Sequence, residues 1–246
     1  MNENEKQDAR GVAINIGANT NEPGFRGPIY PDGRFEYVPI PETKPIRDGA
    51  TVPTYGDLEL ATDTRDVTDV PVHLDPTFEG VHGCDRYTYG DPYAVKAGPL
   101  LELDAGDYVY FYATLSTVGS PSRAWIAPEW GAYVIGAFQL ARNPISRDAY
   151  RGLPRRYRRV YADNAHLKRR SFDAAVLLYG DPNESALFDT ALPLSSPDAG
   201  IDPNCIVTEL SSDSGKGPWW RRPLRFDAAA NRELRSILVD GRFDRL

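Results

Sequence analysis

The chain has 246 residues, long enough for one domain to bury a sizeable hydrophobic core. Hydrophobic residues make up 41% of it, with 14 Tyr, 9 Phe and 4 Trp, and this composition excludes an intrinsically disordered protein. The net charge is −7, and neither a membrane span nor a signal peptide is visible, so we expect a cytoplasmic protein without a membrane partner.

The N-terminal part of the chain alternates short strand patterns with turn-forming residues. We expect the polar residues 1–10 to be a disordered tail, followed by a single domain at 11–246. The alternating pattern of 11–17 predicts a first strand, and residues 34–38 predict a second one after a Pro-Asp-Gly turn. A third short strand is predicted at 70–75.

The clearest secondary structure lies in the second half of the chain. Residues 107–115 and 132–141 are rich in β-branched and aromatic residues, which predicts an antiparallel hairpin at the centre of a sheet. Gly136 within the second strand predicts a bulge or a close approach of two backbones. A buried strand at 174–180 and a terminal helix at 228–239 follow. We therefore expect an α+β fold, a mixed or antiparallel sheet with flanking helices and long loops.

The passage from His73 to Asp91 contains two of the three histidines and several acids. On the predicted strand, His73 and Asp75 project from the same face, close enough for an acid–base pair or for two metal ligands. We therefore take His73, Asp75, Glu79 and Asp91, together with the third histidine, His166, as candidate catalytic residues. The alternative is a hydrogen-bonded structural loop, because the spacing matches no recognised catalytic or metal-binding motif.

One basic segment, residues 147–170, interrupts an otherwise acidic chain. It contains nine basic residues and two acids, a local charge of +7, so the rest of the chain carries −14. This asymmetry indicates a surface that binds the phosphates of DNA or of a nucleotide, and the alternative is a solvated, salt-bridged helix face. The candidate phosphate- or nucleic-acid-binding residues are Arg155, Arg156, Arg158, Arg159, Asn164, Lys168, Arg169 and Arg170.

Trp219 and Trp220 stand next to two arginines near the end of the chain. Aromatic rings beside cations are typical of surfaces that stack nucleic-acid bases, and packing of one tryptophan in the core is the alternative. Cys84 and Cys205 are too few for a disulfide framework, and a lone metal-ligand role for Cys84 stays open because His82 lies two residues before it. The sequence identifies no cofactor, and it lacks the Walker A, dinucleotide-binding and nucleophile-elbow motifs.

Short motifs spread over most of the chain carry a family resemblance. They are Gly27-Pro28-Ile29-Tyr30-Pro31-Asp32-Gly33, Phe35-Glu36-Tyr37-Val38-Pro39-Ile40-Pro41-Glu42, Thr54-Tyr55-Gly56-Asp57, His73-Leu74-Asp75-Pro76, Thr88-Tyr89-Gly90-Asp91 and Asn164-Ala165-His166-Leu167. In these motifs the chain resembles the third type of the nucleotide modification associated domains. The resemblance implies a role in DNA modification, with DNA or a nucleotide and other base-modification enzymes as partners, and it supplies no mechanism.

A second likeness concerns the central strands. The strand pair at 106–112 and 133–138 is similar to the paired barrel strands of EVE and related PUA-like domains, which bind modified or flipped bases in a pocket. This likeness implies a PUA-like barrel as one form of the core. Three functions stay open: an enzyme or binding pocket for a nucleobase or nucleotide, a non-catalytic reader of modified DNA that uses the basic segment, and a scaffold protein.

Overall fold

The computed structural model describes residues 9–241, 243 and 246. Eleven strands lie in this part of the chain. They are β1 (Gly11–Asn15), β2 (Pro28–Ile29), β3 (Ile40–Pro41), β4 (Val72–His73), β5 (Thr88–Asp91), β6 (Tyr108–Thr117), β7 (Trp130–Gln139), β8 (Ile145–Ser146), β9 (Val176–Tyr179), β10 (Ala186–Pro193) and β11 (Leu224–Phe226).

The helices in the described residues are short, except for the last one. They are α1 (Ala94–Leu101), α2 (Arg147–Gly152), α3 (Arg155–Arg158), α4 (Ala165–Lys168) and α5 (Ala228–Asp240). Single 3₁₀ turns lie at Tyr55–Asp57, Arg65–Val67, Arg159–Tyr161 and Trp219–Arg221, and a π-helical turn lies at Ile206–Leu210. None of the described helices is long and apolar enough to cross a membrane.

The largest sheet has the strand order β10–β7–β6–β1–β11, with β2 beside β6. Strand β6 runs parallel to β1 and β2, and the other neighbours are antiparallel. The fold is therefore α+β with a mixed sheet, as predicted. Across the described residues the sheets are open, so the barrel implied by the PUA-like strand pair is not seen there.

The predicted hairpin of β6 and β7 forms the centre of the core. The rings of Phe111 on β6 and Phe138 on β7 lie 4.5 Å apart, edge to face, and both are fully buried. Helix α5 docks on this sheet through Asn231, whose Oδ1 accepts a hydrogen bond of 2.6 Å from the Tyr110 hydroxyl. Asp227 caps α5 by accepting a hydrogen bond from the Ala230 N–H, as its sequence predicts.

Gly136 on β7 fulfils both expectations for a glycine inside a strand. The register between β6 and β7 shifts beside it, which marks a bulge. A Cβ at this position would lie 2.7 Å from the Ala186 carbonyl oxygen on β10 and 2.7 Å from the Phe78 ring. Two backbones and an aromatic ring therefore meet where only a glycine fits.

The N-terminal half departs from the predicted strands in two places. Residues 34–38 form no strand, because no neighbouring strand pairs with them beyond a single bridge from Phe35 to Ile29. Residues 88–91, for which no strand is predicted, form β5 because β9 supplies a partner from far along the chain. Of the predicted tail, residues 1–8 lie outside the described residues, whereas Ala9 is buried.

Two small sheets beside the large one bring together the segments that form the candidate site. Strands β3 and β4 pair with Ile40 opposite His73, and β5 pairs with β9. Residues 45–47 run along residues 168–170, joined by hydrogen bonds from Arg47 N–H to the Lys168 carbonyl (2.9 Å) and from the Arg170 N–H to the Pro45 carbonyl (2.8 Å). The end of the basic segment is thereby attached to the segment that follows β3, the strand paired with β4.

Candidate functional site

Two histidines and an aspartate converge on the wall of a cavity of 460 Å³. Nε2 of His166, on α4, lies 3.3 Å from Oδ2 of Asp75, and Nε2 of His73, on β4, lies 3.9 Å from the same oxygen. The two imidazole rings meet edge to face with their centroids 4.8 Å apart. All three side chains are at most 6% exposed. The structure therefore joins three of the predicted catalytic residues in one cluster.

A carboxylate holds the other nitrogen of each histidine. Nδ1 of His73 lies 2.7 Å from Oε2 of Glu42, and Nδ1 of His166 lies 2.6 Å from Oδ1 of Asp173. At such distances a proton lies between nitrogen and oxygen, so Nδ1 is the donor. In the neutral imidazole the lone pair is then on Nε2, and both Nε2 atoms face Asp75.

Arg169 links the two supporting carboxylates. Its Nε and Nη2 donate to the two oxygens of Glu42 at 3.0 Å each, and its Nη1 donates to Asp173 Oδ2 at 2.7 Å. The Arg169 side chain is only 9% exposed. This planar guanidinium fixes the spacing of Glu42 and Asp173, and through them the orientation of both imidazole rings.

Backbone and amide donors fix the central aspartate. The Gly90 N–H, on β5, donates to Asp75 Oδ2 at 2.9 Å, and Asn164 Nδ2 donates to Asp75 Oδ1 at 3.2 Å. Oδ1 of Asn164 accepts a hydrogen bond from the His166 N–H and so caps α4. A Cβ on Gly90 would lie 2.7 Å from the His166 ring, which explains the glycine at this point.

The hydrogen bonds shift the pKa values of the outer groups in opposite directions. Burial lowers the pKa of His166, but hydrogen bonds to Asp173 and Asp75 outweigh it and raise that pKa to about 9. Burial raises the pKa of Glu42, but the bonds from His73 and Arg169 lower it to about 2. The same balance lowers the pKa of Asp173 to about 2. Both supporting carboxylates are therefore charged at neutral pH.

The rest of the cavity wall is polar and carries one further predicted residue, Asp91. Asp91 accepts a hydrogen bond from the Tyr89 hydroxyl at 2.7 Å and lies 3.6 Å from the Lys96 ammonium group. Lys96 also donates to the Asn15 carbonyl at 2.7 Å. Tyr93 lies at the cavity with 70% of its surface exposed, so its ring is accessible to a ligand.

The remaining predicted residues lie outside the cluster or serve it differently. Glu79 is exposed and does not line the cavity. Arg169 and Asn164, expected on a phosphate-binding face, are inside the cluster, and Lys168 is half-buried. The exposed members of the basic segment among the candidates are Arg155, Arg156, Arg158, Arg159 and Arg170.

The two tryptophans differ in their exposure. Trp219 is fully buried, and its Nε1 donates to the Ile201 carbonyl at 2.8 Å, so its ring faces are covered by protein. Trp220 is half-buried and packs edge to face on Trp130 with the centroids 5.6 Å apart. The core-packing alternative therefore describes Trp219, and base stacking stays a prediction for Trp220.

The remaining histidine, His82, lies apart from the cluster. Nε2 of His82 lies 2.8 Å from the Tyr37 carbonyl oxygen, and burial lowers the pKa of His82. Burial also raises the pKa of the neighbouring Cys84 to about 11, which keeps the thiol protonated. Among the described residues, the group that could hold a metal ion is His73, Asp75 and His166.

Sequence reasoning missed Glu42 and Asp173. Both are acids in short polar passages that carry no catalytic pattern, and they reach the histidines only through the fold. Glu42 ends one of the motifs that carry the family resemblance, which was the only sequence signal for it. The completed cluster can transfer protons through Nε2 and Oδ2, or it can bind a cation between them.

Comparison with known proteins places the chain in a family. The family model described as nucleotide modification associated domain 3 matches residues 10–236, which include every residue of the cluster. No curated protein and no solved structure matches the chain. The family description therefore gives the association with nucleotide modification, and the chemistry has to be argued from the site.

Proposed function

The chain belongs to the nucleotide modification associated domain 3 family, and from this premise we propose that it is an enzyme that modifies a nucleobase or nucleotide of DNA. The reaction takes place in the cavity that His73, Asp75 and His166 line. The single observation that supports a catalytic role is the convergence of two Nε2 atoms on one carboxylate oxygen, with each imidazole oriented by its own carboxylate.

The arrangement favours catalysis over a purely structural role. A network that only stabilised the fold would have little need of an imidazole nitrogen without a good hydrogen-bond partner, and His73 Nε2 lies 3.9 Å from Asp75. Buried polar groups that face a cavity, with their supporting groups fixed behind them, are typical of catalytic centres. The side chains of the cluster are therefore already oriented to react with a ligand that enters the cavity.

The cavity suits a ligand of the size and polarity of a nucleobase. Its volume of 460 Å³ lies within the range of about 300–1,000 Å³ common for small-molecule sites. Asn15, Asp91 and Lys96 add donors and acceptors to the wall, and Tyr93 offers an exposed ring for stacking. A base could be recognised by its edge through the polar wall and by its face through the tyrosine.

The position of the basic residues supports DNA as the substrate. Arg47 and Arg170 are exposed on the two paired segments whose inward-facing member, Arg169, holds the cluster. Helix α3 and the turn after it add Arg155, Arg156, Arg158 and Arg159 on the surface. Phosphates on this surface would leave a single unstacked nucleotide free to enter the cavity, as enzymes that act on bases require.

The test is turnover with purified protein and the variant His73→Asn. Asparagine can keep the hydrogen bond from the Nδ1 position to Glu42 and removes Nε2, so the melting temperature should stay close to that of the wild type. Single-stranded and duplex DNA and free mononucleotides are incubated with the protein, and the bases are analysed by mass spectrometry. Modification should occur with the wild type and fall at least about 100-fold with the variant.

The control for this test is His82→Asn, which changes the same residue type outside the cluster. It should retain the wild-type rate. A reaction that continues unchanged in His73→Asn would overturn the proposed role of the cluster, and a variant that unfolds is replaced by His166→Asn, which keeps the donor to Asp173.

A second candidate function, a reader of modified DNA, is favoured by the exposed arginines alone. They need no catalytic centre to bind phosphate. Removing Arg155 or Arg156 should lower the slope of log affinity against log salt by about one for each phosphate contact. The control is Arg34→Ala, an exposed arginine paired with Asp32, whose loss should leave the slope unchanged. DNA binding that is unmeasurable at low salt would exclude the reader and weaken DNA as the substrate.

A further inference from the structure

The charges of the cluster do not balance within the protein. Glu42, Asp75 and Asp173 bring three carboxylates, and Arg169 is the cation that contacts two of them. Before the imidazoles are counted the cluster carries a net charge of −2, and a proton on His166, whose pKa is about 9, offsets only one unit of it. Other charged groups on the cavity wall compensate each other: Asp91 lies beside Lys96, and the exposed Glu22 and Lys44 have opposite signs. A buried surplus of negative charge calls for a positive partner.

The three atoms that face one another, Nε2 of each histidine and Oδ2 of Asp75, can all serve as metal ligands. Because Glu42 and Asp173 accept the Nδ1 protons, Nε2 of each ring faces Oδ2 of Asp75, where it presents a lone pair whenever it is deprotonated. A proton can bridge His166 Nε2 and Asp75 Oδ2 at 3.3 Å, and a metal ion would take the place of that proton. Histidines that bind metal ions usually donate their other ring N–H to a carboxylate in this way.

We propose that Nε2 of His73, Nε2 of His166 and Oδ2 of Asp75 bind one divalent first-row transition-metal ion. The three atoms lie within 4.8 Å of one another. Two ligand atoms at about 2.1 Å from an ion lie about 3.0–3.4 Å apart at ordinary coordination angles. The separation of 3.3 Å between His166 and Asp75 fits, and His73, at 3.9 Å from Asp75, has to move inward by at least about half an ångström to join them.

The donor set selects the class of ion. Two imidazole nitrogens and one carboxylate oxygen suit iron(II), manganese, cobalt or zinc, whereas calcium and magnesium prefer oxygen ligands alone. All three ligand residues line the cavity, so the remaining coordination positions open toward a substrate. Sites of this openness are catalytic, whereas structural metal sites have four protein ligands.

Glu42, Asp173 and Arg169 are positioning residues in this site. The carboxylates hold each ring with Nε2 toward the ion, and Arg169 keeps both carboxylates in place and reduces their charge. Asn164 and the Gly90 N–H hold the aspartate, so each ligand has its own support. The support is complete before an ion arrives, which reduces the reorganisation needed for binding.

The test measures metal alone, without DNA or turnover. Purified wild-type protein is dialysed against a chelator and then titrated with Mn²⁺, Co²⁺ or Zn²⁺, with bound metal counted by elemental mass spectrometry and the melting temperature followed. We expect one equivalent per chain and a rise in melting temperature, because an ion that binds the folded state stabilises it. The absorption spectrum of the Co²⁺ form should change as nitrogen ligands replace water.

Three variants locate the site. His166→Asn should lose stoichiometric binding, and His82→Asn should retain it, because only the first removes a proposed ligand. Asp173→Asn should keep one equivalent with an affinity about 10–100-fold lower, since it alters a supporting carboxylate that is 31% exposed and tolerates change. Wild-type protein that binds no metal, or His166→Asn that binds it as the wild type does, would overturn the metal site.

The metal-binding proposal and the proposed function can fail independently of each other. DNA modification by a wild-type protein that binds no metal in the titration would overturn the metal site and leave the proposed function intact. Stoichiometric metal on His73, Asp75 and His166 with no change to any base would support the metal site and count against the proposed function.

Discussion

At the scale of single residues, Arg169 is the side chain on which the cluster depends most. It is 9% exposed and its three nitrogens all bond to Glu42 or Asp173. Removing it leaves two buried or half-buried carboxylates that still repel each other and Asp75. Because desolvated charges without a partner are costly, the loss should exceed what a surface ion pair contributes.

We predict that Arg169→Met lowers the free energy of unfolding by about 3–5 kcal/mol, measured by urea denaturation of metal-free protein. The matched control is Arg34→Met, which removes an arginine that is 73% exposed and paired with Asp32. That control should change the stability by no more than about 0.5 kcal/mol. Equal midpoints for both variants would mean that the Arg169 network adds nothing to stability.

Local sequence patterns connect only some of the residues of the cluster. His73 and Asp75 could be paired because they are two positions apart on the predicted strand 70–75, although β4 itself ends at His73. Glu42 is 31 positions from His73 and 127 from Arg169, so no local pattern connects them. Arg169 was expected to bind phosphate because its neighbours are basic, but the turn of the chain at α4 directs it inward.

At the scale of elements, the long strands and the terminal helix were predictable from sequence because their signals are local and repeated. Strands β6 and β7 are ten residues each, with aromatic and β-branched residues throughout. Helix α5 has both an N-cap aspartate and a glycine after its last turn. Strands β3, β4 and β5 have two to four residues, and they exist through pairing with distant segments.

Gly136 connects the elements of the core, and we predict that Gly136→Ala destabilises the protein by about 1–3 kcal/mol. The added methyl group would lie 2.7 Å from the Ala186 carbonyl oxygen and from Phe78, so β7 must move away from β10. The control is Gly152→Ala in α2, where a Cβ meets open space and the change should stabilise by up to about 1 kcal/mol. Thermal and urea unfolding of both variants measure the difference, and equal stability would contradict the close approach at Gly136.

At the scale of the whole molecule, an acidic chain carries one basic segment, and the end of that segment supplies His166 and Arg169 to the cavity wall. The cluster sits where two small sheets and α4 meet, next to paired segments that carry Arg47 and Arg170 on the outside. The sequence indicated a basic segment and a polar passage, but it did not predict that the two meet. The fold unites them because His166, Asn164 and Arg169 end the basic segment and also complete the cluster.

The most direct test of the central claim is the nucleoside composition of DNA from cells that carry the gene, lack it, or carry His166→Asn. Mass spectrometry of digested DNA should show an altered nucleoside with the wild-type gene and none in the other two strains, while His82→Asn behaves as the wild type. Identical nucleosides in all strains, with the wild-type protein folded and abundant, would contradict the claim that the protein modifies DNA through a reaction in this cavity.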